Sequence, residues 1–128
     1  MNYWSSTHNE LLNENAFAGI KTDGSVITWG NASTGGDSSA VADDLSKGVV
    51  QIFSNPFSFA ALKDDGSVVT WGDEDYGGDS SSLEVELESG VQQIFSNPYS
   101  YAALKDDGSV VTWGDEDYGG DSSGVDLA

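Results

Sequence analysis

The sequence predicts an all-β repeat protein, and three observations carry the prediction. The stretch from Ala60 to Ser81, AALKDDGSVVTWGDEDYGGDSS, recurs unchanged from Ala102 to Ser123, and a looser copy, AGIKTDGSVITWGNASTGGDSS, runs from Ala18 to Ser39. Trp29, Trp71 and Trp113 stand 42 residues apart, as do Gly24, Gly66 and Gly108. A fixed period of this size marks repeats that hide their apolar faces against neighbours. In every copy Asp-Gly separates two β-prone runs, a hairpin signal because a tight turn needs positive φ there. The 128 residues read as one domain of three units, about 10–51, 52–93 and 94–128. Such a chain buries about 65% of its unfolded surface.

Each unit is expected to be a hairpin plus a short strand. With Asp65-Gly66 as a two-residue loop, Leu62 faces Val69 and Ala60 faces Trp71, and period-two alternation puts these four on one side. The same rule groups Ala18, Ile20, Ile27 and Trp29, and then Ala102, Leu104, Val111 and Trp113. Three such faces are expected to meet in one core, each indole contributing at most about 5 kcal/mol for roughly 200 Å² buried. The other side, with Phe59, Ala61, Val68 and Thr70, is expected to be half covered. The third unit writes Tyr101 for Phe59 and Tyr99 for Phe57, and a hydroxyl is costly to bury without a partner.

In chain order, residues 1–9 lie outside the hairpin pattern and read as a frayed end or as a strand completing the last unit. Val49-Val50-Gln51-Ile52 and Val91-Gln92-Gln93-Ile94 read as the short strands. Asn55-Pro56 and Asn97-Pro98 open turns, since proline cannot donate to a ladder. Between units, Val41 and Leu45 align with Leu83 and Leu87. That spacing of four, with Asp or Ser before it and Gly48 or Gly90 after it, predicts a helical turn or two. The alternation in Leu83-Glu84-Val85-Glu86-Leu87 argues for a strand instead.

Twenty-two acidic residues against four lysines and no arginine give a net charge of −18. That field repels phosphate backbones and anionic lipid, so no nucleic-acid or membrane partner is expected. It suits a basic protein partner, a bound cation, or solubility. With no cysteine there is no disulfide framework or thiolate metal site. The first residues show neither a basic segment nor an apolar run, so no signal peptide or membrane span is expected.

The pattern V-x-Q-I-x-S…(F/Y)AALK-x-DG-S-VVTWG-x-x-x-YGG resembles the regulator-of-chromosome-condensation repeat over nearly all of Glu10 to Asp121. The resemblance implies strands of β-propeller blades, within the roughly four to eight blades of known propellers, and an interaction platform. A homo-oligomer, or a longer array, is what three units of such a ring imply. The period of 42 is short for that family, and no residue here matches its nucleotide-exchange activity. The alternative is a closed threefold domain, a β-trefoil or β-prism.

Asp73, Asp75, Asp79 and Glu84 fall at positions 1, 3, 7 and 12 of a loop with Gly78 at position 6, close to a calcium-binding template. Asp115, Asp117, Asp121 and Asp126 repeat it. Against this, the fifth position is Gly, no flanking helix is of convincing length, and the first copy loses the acids, so turn and cap chemistry explains the loop as well. Tyr76 and Tyr118 could stack on a sugar ring, or be ordinary loop aromatics. His8, the single histidine, reads as a spectator rather than a base. No nucleophile–base set can be named, and the carboxylates sit in polar loops rather than the apolar sites that acid–base work needs. No enzyme and no obligatory cofactor are expected. The function expected is a non-catalytic interaction module holding a protein partner through acidic loops. The alternatives are a calcium- or carbohydrate-binding adhesion module, and a fragment of a larger scaffold.

Overall fold

The computed structural model describes residues 3–4 and 13–121. Asp65-Gly66 turns the chain, with one loop residue more than expected. Gly66 N–H donates to Lys63 O (3.0 Å) and Lys63 N–H to Ser67 O (2.9 Å). Asp64, Asp65 and Gly66 thus form a three-residue loop with Gly66 left-handed at φ 82°. Asp65 Oδ1 accepts from both the N–H and the hydroxyl of Ser67, which secures this geometry, and Asp23 and Asp107 repeat it. The extra residue moves the register by one: Leu62 opposes Val68, Ala61 opposes Val69, Ala60 opposes Thr70 and Phe59 opposes Trp71. Because the side-chain period is two, the slip exchanges the faces. Trp71 therefore shares a face with Phe59, Ala61 and Val69, and the expected grouping with Ala60 and Leu62 is corrected.

The strands form three antiparallel three-stranded meanders in chain order. The first joins β1 (Tyr3–Trp4), β2 (Ala16–Ile20) and β3 (Val26–Gly30). The second joins β4 (Val49–Asn55), β5 (Ser58–Lys63) and β6 (Val68–Gly72). The third joins β7 (Val91–Asn97), β8 (Ser100–Lys105) and β9 (Val110–Gly114). The short strand expected at Val49 runs on to Asn55 because Asn55 closes a two-residue loop over Pro56-Phe57. Its Oδ1 accepts from Phe57 N–H and the Ser58 hydroxyl. Tyr3–Trp4, in the segment considered for completing the last unit, pairs instead with β2 of the first.

The three sheets stack face to face rather than meeting at one centre. Phe59, Ala61 and Trp71 of the second sheet pack on Ala16, Ala18 and Ile20 of the first. Tyr101, Ala103 and Trp113 of the third pack on Phe53, Ala60 and Leu62 of the second. The middle sheet is thus buried on both sides, and the expectation of a single shared core is corrected. Val69 and Val111 sit partly buried against these layers, while Leu104 is only half-buried. Trp29, expected in the core, is 43% exposed, because among the described residues no sheet lies beyond its face.

Tyr101 shows why the third unit can bury a hydroxyl. Its OH donates to Ser58 O (3.0 Å) and lies 3.0 Å from Ser58 Oγ, and burial pushes its ionisation well above the ordinary tyrosine value. The equivalent Phe59 faces Ala16, which offers no hydroxyl. Tyr101→Phe should therefore cost about 1 kcal/mol in urea unfolding, since Ser58 Oγ keeps Asn55 Oδ1 and Tyr76 O.

The linkers begin with 3-10 turns at Ser39–Val41 and Ser81–Leu83. Leu45 N–H to Val41 O and Leu87 N–H to Leu83 O add one helical bond each, so the short helical turn holds and the alternating reading of residues 83–87 does not. Among the described residues no helix is long and apolar enough to cross a membrane.

Candidate interaction surface

After each Trp-Gly the chain makes a 3-10 turn, Ala32–Thr34, Glu74–Tyr76 or Glu116–Tyr118, capped by a side chain: Asn31 accepts from Ser33 N–H, Asp73 from Asp75 N–H, and Asp115 from Asp117 N–H. Asp79 Oδ1 in turn accepts from Ser81 N–H. A buried or rim asparagine clamps each loop from below. Asn13 Nδ2 donates to Thr34 O, Asn55 Nδ2 to Tyr76 O and Asn97 Nδ2 to Tyr118 O. Of the acids proposed as calcium ligands, Asp73 and Asp115 are placed as caps and Asp79 by its bond to Ser81 N–H. Among the described residues no three acidic or histidine side chains converge to hold a metal ion. Asp126 and His8 lie outside the described residues.

Tyr76 and Tyr118 are not isolated platforms. Tyr76 packs on Phe57 (ring centroids 4.7 Å apart) and Tyr118 on Tyr99 (4.4 Å), and Tyr76 and Tyr99 stand 5.7 Å apart. One rim of the stack thus carries a continuous aromatic row. The sequence showed the tyrosines but not that the Asn-Pro turn brings Phe57 and Tyr99 beside them.

A concavity of about 730 Å³ runs along β6, between the linker that follows the first unit and the linker that follows the second. Asp37, Asp44, Asp65, Asp79, Glu84 and Glu88 line it against the single cation of Lys63. β6 is an edge strand of its sheet, so every second backbone group points away from β5. At its first residue that edge is already used, Val68 N–H donating to Leu87 O (2.9 Å). Three of the carboxylates are held below the usual aspartate range. The Ser67 hydroxyl and then its N–H hold Asp65 there, Ser81 does the same for Asp79, and Ser39 for Asp37. All three carboxylates are exposed at the groove.

No protein-family model matches the chain, and no curated protein matches it. Its likeness is to solved structures. A chain in the complex of Kap60 with yeast RCC1 (Prp20) aligns with a TM-score of 0.55 at 19% identity, over 81% of this chain and 28% of that one. The ectodomain of the Physcomitrella patens receptor kinase CR4 gives 0.55 at 20% identity, over 87% of this chain and 28% of that one. Prp20p from Saccharomyces cerevisiae, described with its binding to Gsp1p and histones, gives 0.52 at 17%, over 81% and 30%. The chain spans about a third of the length of the solved chains it matches. At these identities the likeness is one of fold: the three sheets are β-propeller-type blades, and the trefoil and prism alternatives are not needed.

Proposed function

We propose that the chain is a non-catalytic interaction module whose blades hold a basic, extended segment of a protein partner along the acidic groove at β6. The observation that carries this reading is the groove itself, with six carboxylates and one lysine beside a sheet edge. An extended peptide can add to a strand edge through its backbone while its lysines and arginines meet the flanking acids. A protein partner is also the class of ligand named for Prp20p.

The test is binding of a lysine- and arginine-rich peptide, followed by anisotropy, against an acidic peptide of equal length. The basic peptide should bind and the acidic one should not. Neutralising Asp65, Asp79 and Glu84 together to Asn or Gln should slow association by about tenfold, and added salt should weaken binding further. The pH dependence has a definite sign. Asp37, Asp65 and Asp79 keep folded values below the unfolded one of about 3.9. Their charge is therefore complete above that value and is lost only as pH falls through the lower folded values. Equal binding of both peptides would end this reading.

A further inference from the structure

Each junction inside the chain is built the same way. An aromatic pair on the incoming sheet seats on the Gly-Gly loop of the sheet before it, and the indole N–H bonds that loop. Phe59 stacks on Trp71 and Tyr101 on Trp113, with centroids 5.4 Å apart in both pairs. Trp71 Nε1 donates to Gly35 O (3.1 Å) and Trp113 Nε1 to Gly77 O (3.2 Å). The fit is close: a Cβ on Gly35 would stand 2.4 Å from the Phe59 ring, and one on Gly77 would stand 2.5 Å from the Tyr101 ring.

The two halves of one more junction lie at opposite ends of the stack. On the first sheet Phe17, Ile27 and Trp29 occupy the positions of Phe59, Val69 and Trp71 and are 52%, 44% and 43% exposed. On the third sheet Phe95, equivalent to the buried Phe53, is 52% exposed. Among the described residues a Cβ on Gly119, the counterpart of Gly35 and Gly77, would meet no ring, only Ser100 Oγ and Asn97 Nδ2 at 3.2 and 3.5 Å. There the surface holds a cleft of about 270 Å³ lined by Phe95, Asn97, Ser100, Ala102 and Gly119.

We propose that two copies of this chain close head to tail into a six-blade ring, the Phe17–Trp29 face of each covering the Phe95–Gly119 face of the other. The occupant is a second copy because the repeats make the two faces complementary, as the two internal junctions show. Phe17 enters as Phe59 does, and it leaves no hydroxyl stranded, since Ser100 Oγ already bonds Asn97 Oδ1 (3.0 Å) and Tyr118 O (2.7 Å). A contact between two different faces either closes a ring or runs on as a filament. Blades come in threes here, and known propellers have about four to eight, so two copies is the closing number. The proposal goes beyond the groove reading and stands without it.

The experiment is solution mass across micromolar to hundred-micromolar concentrations, with hydroxyl-radical labelling of Phe17 and Trp29. The expected result is a species of twice the 13.4 kDa chain, with both aromatics protected at high concentration and labelled on dilution. Salt should favour the dimer by screening the repulsion between two chains of −18 each, the opposite of its effect on a basic peptide. Phe17→Lys and, separately, Ala102→Lys should each return the mass to one chain with the far-UV spectrum unchanged. A monomer at every concentration overturns the proposal, as does a dimer that either substitution leaves intact or a mass that grows beyond two copies. Should a variant fail to fold, the labelling of the unaltered chain decides: Phe17 and Trp29 labelled equally at all concentrations also overturns it.

Discussion

Trp71→Ala is expected to lower stability by about 3 kcal/mol or more, on the order of 10 °C in melting temperature. The side chain is 4% exposed, stacks on Phe59 and belongs to the layer shared with Ala16, Ala18 and Ile20. Truncation opens a cavity between two sheets, where small alanines cannot move in to fill it, and it strands Gly35 O, the acceptor of the indole N–H. Trp113→Ala should cost a similar amount, since its ring and its bond to Gly77 O repeat the arrangement. Trp29→Ala should cost far less in the dilute single chain, because that ring lies on an exposed face. Urea unfolding of the three variants checks the ranking. A loss under about 1 kcal/mol at Trp71 would refute the packing argument.

Gly66→Val is the second large effect, expected at about 3 kcal/mol from two separable causes. The first is conformational: Gly66 sits at φ 82°, where a β-branched residue is a strained outlier. The second is tertiary. A Cβ on Gly66 would stand 2.7 Å from Gly90 N, backbone that cannot step aside while Val91 N–H donates to Gly66 O (3.0 Å). Gly108→Val isolates the first cause, since its φ is 88° but nothing among the described residues lies within 4 Å of the added carbon. It should cost about 1–2 kcal/mol. Equal melting temperatures for the two variants would show that the hairpin tip does not bear on the next unit.

Much of the fold can be read from local chemistry. Asp-Gly and Asn-Pro name their turns because positive φ and a missing N–H are properties of those residues wherever they stand, and Gly24, Gly66 and Gly108 all carry the left-handed φ expected. The 42-residue period of the Trp and Gly positions marks the three copies of the unit. The register failed by one residue, and the cause is a side chain: Asp65 bonding Ser67 favours a three-residue loop over a two-residue one. That single slip moved Trp71 to the other face. The groove also lay beyond reach, since Asp37 and Asp44 come from one linker and Glu84 and Glu88 from the next, and only stacking sets them along β6.

The sequence by itself determined the unit: its turns, its strands, its acidic connections and its number of copies. Which face is dry was decided only in three dimensions, because identical side chains at Phe53 and Phe95 are 2% and 52% exposed. Burial belongs to a residue's neighbours, and a repeat lends each face a neighbour everywhere except at the two ends of the stack.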